Sequence, residues 1–242
     1  MATEYWLAGA VVLIAGMTRG FAGFGAGLIM MGPLALLFGL PAAVVSVAVI
    51  DSGAAFAILR GVWGIADRKR ALIAAGAAAV LMPAGVLILK TAEPVLLRQI
   101  AGFAILLFVL LISLGLKWRG EGYVSAAAAG SFGGLIGGAT SLIGPPVILY
   151  FLARAEAADR TRATLAIYIT VVVWAQFLTT AVFEATSGVA GWDAWLTAAF
   201  LIPVYAFGIY AGRRLFTLAS PLFYRRVALT LVTAAGLLAA FG

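Results

Sequence analysis

Residues 19–27 read Arg19-Gly-Phe-Ala-Gly-Phe-Gly-Ala-Gly27, a glycine-rich stretch within an apolar segment that runs from about residue 5 to residue 39. A membrane-spanning helix needs about 20 apolar residues, so this segment is too long for one crossing. Glycine disfavours a helix interior, so the cluster predicts an interruption. A second long segment, about 122–153, is interrupted at Gly133-Gly-Leu-Ile-Gly-Gly-Ala-Thr-Ser-Leu-Ile-Gly-Pro-Pro146. The sequence therefore predicts two broken helical segments.

The composition assigns the whole chain to the membrane. Of 242 residues, 64% are apolar and 10% are charged, and the mean hydropathy is +1.14. A soluble domain has about 45–50% apolar and about 25% charged residues. This difference excludes a water-soluble globule, a disordered chain and a nucleic-acid-binding domain. Six further segments have the length of single spanning helices, at about 41–59, 71–89, 95–116, 163–183, 194–212 and 222–241.

The two halves of the sequence resemble each other. Phe21–Gly27 aligns with Phe132–Gly138, and the same order of features continues in both halves, with Gly32-Pro33 matching Gly144-Pro145, and Pro94 and Arg98 matching Pro221 and Arg225. We therefore predict a duplication that forms a single integrated membrane domain, with transmembrane repeat one at 1–117 and transmembrane repeat two at 118–242.

The basic residues distinguish two topologies, because cytoplasmic loops collect Lys and Arg. If all eight segments cross the bilayer, the basic residues divide poorly between the two faces. If the two long segments are re-entrant hairpins, every Lys and Arg except Arg19, Lys90 and Arg98 lies on the inner face. The hairpin topology is the better fit. It gives two inverted repeats, each with a broken segment and three transmembrane helices, and eight plain crossings remain the alternative.

The two interruptions are candidate binding sites for an anion. A half-helix that begins at each break offers free backbone N–H groups and the positive end of its dipole. Glycine allows a ligand to approach the backbone closely, and hydroxyl groups add donors. The substrate-binding candidates at the two breaks are Gly23, Gly25, Gly27, Gly137, Gly138, Thr140 and Ser141. The alternative is that these glycines, at small-xxx-small spacing, only pack helices together.

Three further polar residues lie inside apolar segments. Arg19 is the basic residue beside the first glycine cluster, and its planar guanidinium suits an oxyanion. Asp51, near the middle of its segment, is either a proton-coupling carboxylate or the structural counter-ion of Arg19. Gln176 offers a neutral hydrogen bond to the substrate.

The chain does not read as an enzyme. It has no His and no Cys, which removes His-dependent general bases and His or Cys ligands for a metal. It has no nucleotide-binding motif and too few residues for an ATPase domain, so transport would be secondary. We expect no cofactor and no metal.

Two motifs resemble those of the sulfite exporter TauE/SafE family. They are Gly20-Phe-Ala-Gly-Phe-Gly-Ala-Gly-Leu-Ile-Met-Met-Gly-Pro33, followed by the basic loop at 60–70, and the copy at 133–146, followed by Arg162-Ala-Thr-Leu-Ala166. The resemblance covers nearly the whole chain. It implies a multi-pass permease of the bacterial or archaeal inner membrane for sulfite, thiosulfate or organosulfonates, with proton coupling plausible.

We therefore predict an all-α polytopic membrane protein that exports a sulfur-containing anion by alternating access. The alternatives are a passive anion channel, a transporter of another small organic anion and a non-transporting assembly subunit. The expected partners are a small anionic substrate and the lipid bilayer, with a homodimer as one assembly state and no nucleic acid.

Overall fold

The computed structural model describes residues 2–59, 61–91, 94–114, 122–140, 144–154, 156–188 and 190–241. Across these ranges the secondary structure is helical, which confirms the predicted all-α class. The described helices are α1 (Ala2–Ala22), α2 (Ala26–Phe38), α3 (Leu40–Leu59), α4 (Arg68–Thr91), α5 (Pro94–Ser113), α6 (Tyr123–Thr140), α7 (Pro145–Ala153), α8 (Ala158–Ser187), α9 (Trp192–Leu218) and α10 (Pro221–Phe241).

Both long apolar segments are interrupted in the predicted stretches. The first segment breaks between α1 and α2, and the second breaks between α6 and α7. The half-helices are unequal, with 21 and 13 residues in the first segment and 18 and 9 in the second. α1 is longer because it begins at Ala2, ahead of the predicted apolar segment, and α7 is short because it begins only at Pro145.

Each interrupted segment folds back as a helical hairpin. The ring of Tyr5, near the start of α1, lies 5.7 Å from the ring of Phe38, the last residue of α2. Near the start of α6, Ser125 Oγ lies 3.1 Å from the hydroxyl of Tyr150, near the end of α7. The two ends of each segment therefore lie together, as a re-entrant segment requires.

The chain forms two compact units, each of which combines parts of both sequence halves. The first unit comprises Met1–Gly61 and Val173–Ala219, which include α1, α2, α3, the second part of α8 and α9. The second unit comprises Val62–Val172 and Ser220–Gly242, which include α4 to α7, the first part of α8 and α10. The predicted repeats concern sequence similarity and remain a prediction.

In the first unit, α1 and α9 pack backbone to backbone through glycines. A Cβ atom at Gly20 would lie 2.1 Å from the carbonyl oxygen of Ile209, and one at Gly212 would lie 2.0 Å from that of Met17. Neither position has room for a larger side chain. This packing holds the last turn of α1, just before the first break, firmly against α9.

In the second unit, α4 and α6 pack in the same way. A Cβ atom at Gly130 would lie 2.0 Å from the carbonyl oxygen of Ala74, and one at Gly134 would lie 2.2 Å from that of Ala78. The small-residue spacing on α1 and α6 is therefore used for helix packing, at positions outside the candidate binding glycines.

Contacts within the second unit bring two basic loops to the same end. The backbone N–H of Asp67, just before α4, donates to Thr164 Oγ1 at 3.0 Å, and Arg160 Nη2 lies 3.9 Å from Asp67 Oδ2. Eight plain crossings would put the loop before α4 and the loop before α8 on opposite faces. The contacts therefore favour the hairpin arrangement of the α6–α7 segment.

Three of the described helices are long and apolar enough to cross a membrane: Glu4–Ala22, Ala158–Val182 and Trp192–Leu218. Shorter apolar helices are Ala26–Phe38, Pro41–Phe56 and Tyr123–Gly137. α1, the first part of the first interrupted segment, is thus itself long enough to span a bilayer, whereas α2 and α6 are shorter.

Candidate functional site

The first break presents the amino end of α2 without a side-chain cap. Gly23 and Gly25 have φ of 85° and 94°, a left-handed conformation that glycine adopts without steric cost. The first helical bond of α2 runs from the N–H of Ile29 to the carbonyl of Gly25, which carries no capping side chain. The N–H groups of residues 26–28 precede that bond, so they form the positive end of the helix.

Arg19 lies in the last turn of α1, at the same break, and is 1% exposed. Its Nη1 donates to the carbonyl oxygen of Gly23 at 3.2 Å, where a cation also complements the negative end of the α1 dipole. Among the described residues, Nε and Nη2 are buried and donate no hydrogen bond. The guanidinium therefore retains donor capacity for a further oxygen ligand.

Asp51 neutralises Arg19 from the middle of α3. Arg19 Nε lies 3.4 Å from Asp51 Oδ1, and the same oxygen accepts a hydrogen bond from the hydroxyl of Tyr205 on α9 at 2.6 Å. The side chains of Arg19 and Asp51 are 0% and 6% exposed. Arg19, Asp51 and Tyr205, here called the Arg19 cluster, thus join three helices of the first unit.

Burial makes this cluster energetically demanding. Removing each of the two ions from water costs several kcal/mol. That cost is roughly offset when the two ions pair and hydrogen-bond well. A guanidinium with unused donors is not fully compensated in this way. Such a group is more typical of a site that binds a ligand than of a purely structural ion pair.

At the second break, α7 begins differently from α2. Gly144 has φ of −87° and lies in the right-handed helical region, and the helix starts with Pro145 and Pro146. Proline has no N–H, and the first helical bond runs from the N–H of Ile148 to the carbonyl of Gly144. Among these residues, Val147 alone precedes that bond with an N–H group, so this end offers fewer donors than α2 does.

The other predicted site residues are distributed as follows. Gly27 has room for a Cβ atom, which would make an ordinary van der Waals contact with Val47 Cγ1 at 3.7 Å. Gln176 is half-buried on α8, in the first unit, and is not among the hydrogen-bond partners of the Arg19 cluster.

Gly137 is buried near the end of α6, whose last residues include Gly138 and Thr140. Ser141 lies outside the described residues.

Tyr205 is the member of the cluster that the sequence did not indicate. A carboxylate or guanidinium within an apolar segment is rare and draws attention, whereas a tyrosine is ordinary there. Tyr205 lies 154 positions from Asp51 along the chain. The contact between them follows from the packing of α9, which no local pattern encodes.

A second polar cluster lies outside the helix interiors of the second unit. Asp67 accepts hydrogen bonds from the backbone N–H of Arg70 at 3.2 Å and from the Arg70 guanidinium. Burial raises the pKa of the Asp67 carboxyl, but the hydrogen bonds and charges of Arg70 and Arg160 outweigh it and lower the pKa below 3.8. Asp67 is therefore an ionised anchor for two basic residues at neutral pH.

Comparison with known proteins identifies the family. A family model described as sulfite exporter TauE/SafE matches residues 8–239, nearly the whole chain, so the chain belongs to this family and the sequence resemblance is confirmed. No curated protein and no solved structure matches the chain.

Proposed function

We propose that this member of the sulfite exporter TauE/SafE family is a secondary transporter that carries a small sulfur-containing anion out of a bacterial or archaeal cell across the inner membrane. The family consists of membrane transporters of sulfite and related anions. Sulfite, thiosulfate and small organosulfonates share a compact group with several oxygens on one sulfur. That group is the substrate chemistry we assign to the site.

The observation that carries this proposal is the buried guanidinium of Arg19 beside the uncapped amino end of α2. Among the described residues, Arg19 Nε and Nη2 have no hydrogen bond, and the N–H groups of residues 26–28 precede the first helical bond of α2. A guanidinium fork and a helix amino end both recognise an oxyanion. Together they give an incoming anion two kinds of donor at one break, where the guanidinium is paired with Asp51.

We propose that the two hairpins are re-entrant, which is the topology that the distribution of basic residues favours. Support comes from the hairpin contacts at Tyr5–Phe38 and Ser125–Tyr150, and from the shared end of two basic loops in the second unit. Interrupted helices of this kind are typical of substrate sites near the bilayer midplane. The polar backbone of such a break is tolerated only where protein or water covers it.

The burial of the Arg19 cluster supports the proposal of alternating access. Arg19 is 1% and Asp51 is 4% exposed, so an anion reaches the guanidinium only after helices move apart. A transporter in an occluded conformation has this property, whereas an open channel keeps its site in contact with water. In the proposed cycle Asp51 couples the anion to a proton. Gly137, Gly138, Thr140, Ser141 and Gln176 remain candidate contacts from the second break and α8.

The test is anion flux in proteoliposomes. We expect Arg19→Ala to reduce uptake of radiolabelled thiosulfate or sulfite at least 100-fold, because the site loses its only buried cation among the described residues of α1 to α3. Arg214→Ala is the matched control: Arg214 is exposed and donates to Tyr210, so its loss leaves flux within about twofold. Normal flux in folded Arg19→Ala protein, or single-channel currents in planar bilayers, would contradict the proposal.

A further inference from the structure

We propose that Asp51 is a built-in substitute for the transported anion, and that Tyr205 is a substrate ligand. In this view the anion takes the place of the Asp51 carboxylate, which is paired with the guanidinium of Arg19 and accepts a hydrogen bond from the hydroxyl of Tyr205. The inference rests on the proposed function and deepens it, since it states what the anion displaces and which further residue binds it.

The geometry supports a shared position. Asp51 Oδ1 accepts from the Tyr205 hydroxyl at 2.6 Å and faces Arg19 Nε at 3.4 Å. A carboxylate presents two oxygens on one atom, as a sulfonate, sulfite or thiosulfate does. Donors arranged for one of these groups are therefore arranged for the other. The oxygen nearest to both donors is the position that an incoming anion takes.

Burial makes the two anions compete. The Arg19 side chain is 0% exposed, so little water is available to screen a second negative charge beside the Asp51 carboxylate. Two neighbouring anions on one guanidinium repel strongly in such surroundings. The anion therefore enters when Asp51 is protonated, so that one proton accompanies it.

The surroundings of Asp51 contain few other groups that could change this balance. α3 packs against α2 and α9; α2 has no titratable side chain, α9 contributes Tyr205, and α1 contributes Arg19. α8 reaches α3 at Phe56 and Trp174, and its Glu184 instead accepts from the N–H of Ala190 at 3.0 Å. Among the described residues, the charge state of the site thus depends on Arg19 and Asp51, with Tyr205 as the neutral donor.

The test measures anion binding by the full-length protein in detergent, in a gluconate buffer that keeps chloride low. Thiosulfate is the probe, because it stays fully ionised from pH 5.5 to pH 8, whereas sulfite changes its own protonation in that range. The readouts are the dissociation constant from tryptophan fluorescence and the thermal midpoint with and without thiosulfate. The wild-type protein is expected to bind thiosulfate at least tenfold more tightly at pH 5.5 than at pH 8.

The Asp51→Asn variant removes the competitor. It is expected to bind thiosulfate at least tenfold more tightly than wild type at pH 8, with affinity independent of pH, and to gain more thermal stability on binding. Asp193→Asn, at the exposed start of α9, is the matched control and should keep the wild-type pH profile. If Asp51→Asn fails to fold, Asp51→Ser is measured in the same way. Loss of binding in a folded Asp51 variant overturns the proposal.

Tyr205 is tested in both backgrounds. In wild type, Tyr205→Phe removes a bond from the competitor and from the anion alike, so affinity at pH 8 changes less than threefold. In Asp51→Asn, which has no competitor, Tyr205→Phe is expected to weaken binding about tenfold. Tyr210→Phe, on the same helix, is the control and should have no effect in either background. An unchanged affinity in Asp51→Asn/Tyr205→Phe overturns the assignment of Tyr205.

The outcomes separate this inference from the proposed function. If Arg19→Ala abolishes binding but Asp51→Asn does not increase it, the anion site stands and the competition fails. If Arg19→Ala binds thiosulfate as tightly as wild type, or if the wild-type protein does not bind it at any pH, both proposals fail.

Discussion

The two helix interruptions occupy corresponding places in the two halves of the sequence, but they offer different chemistry. The first has Gly25 at φ 94° and an α2 amino end with the N–H groups of residues 26–28 ahead of its first helical bond. The second has Gly144 at φ −87°, followed by Pro145 and Pro146, which have no N–H to offer. The first break also has the buried Arg19 cluster beside it.

Two breaks with similar sequences therefore need not bind an anion in the same way. A glycine-rich interruption provides the turn in both segments, but a binding site for an anion also needs donors and positive charge. The aligned position of Arg19 in the second half is Gly130, which packs against Ala74 instead. We therefore expect the first break to bind an anion more strongly than the second break does.

The largest expected effect concerns the packing that holds each break in place. Gly212→Val and Gly130→Val each place side-chain atoms where a Cβ already comes within 2.0 Å of a backbone oxygen. We expect destabilisation of about 3 kcal/mol or more in both units, seen as loss of monodisperse protein in size-exclusion chromatography. Gly76→Val, which has nothing within 4 Å of its Cβ position, is the control. Normal folding of either packing variant would contradict the structure of that helix pair.

The next effect tests the amino end of α2 directly. Gly27→Pro removes one N–H in the first turn, where proline is tolerated, and Gly27→Ala keeps that N–H in a position with room for a Cβ atom. We expect about tenfold weaker thiosulfate binding for Gly27→Pro, the size of one lost hydrogen bond to a charged ligand. Gly27→Ala should bind as wild type. Equal affinities in the two variants would show that α2 does not donate to the anion.

A smaller effect is expected at Gly25 and Gly144, the glycines that immediately precede α2 and α7. Gly25→Ala forces a side chain into the left-handed conformation at φ 94°, which costs about 1–2 kcal/mol. Gly144→Ala has an allowed φ of −87°, and its Cβ would press only on the movable Cδ1 of Ile148, at 2.8 Å. Thermal midpoints should therefore fall further for Gly25→Ala. A larger fall for Gly144→Ala would contradict the left-handed conformation of Gly25 as the more costly of the two.

The smallest effect lies away from both breaks, at Asp67. Its pKa is lowered below 3.8 in the folded protein, so its ionised form contributes stability above that pH, and the contribution is lost as the pH falls through the folded value. We expect Asp67→Asn to lower stability by about 1 kcal/mol at pH 7 and to approach the stability of wild type as the pH falls through the lowered pKa of Asp67. Thermal midpoints across pH, with Asp193→Asn as control, provide the measurement. If the stability difference between Asp67→Asn and wild type is as large at acidic pH as at pH 7, the ion pair is not its cause.

Several features were predictable because they depend on local sequence. Glycine clusters and proline pairs interrupt a helix through the backbone of a few residues, so both breaks appear within the predicted stretches. The pairing of Arg19 with Asp51 was one of two predicted roles for that carboxylate, and the 3.4 Å contact is consistent with it. Proton coupling by Asp51 remains a prediction.

Other features were not predictable from these patterns. The donor difference between the breaks depends on backbone conformation at Gly25 and Gly144, and two glycines look alike in a sequence. The pairing of α1 with α9 and of α6 with α4 joins helices that are apolar on most faces. Because lipid and protein neighbours favour the same apolar residues, such helices carry little information about which face meets which partner.

Hydropathy and glycine content act within a few turns of helix, so the sequence alone indicates an all-helical membrane protein with two interrupted segments. The contact between Tyr205 and Asp51, and the donors of Arg19 that stay unused among the described residues beside the amino end of α2, depend on tertiary packing. Those contacts depend on residues up to 154 positions apart. They arise from close packing of helix backbones, which a string of apolar residues does not specify.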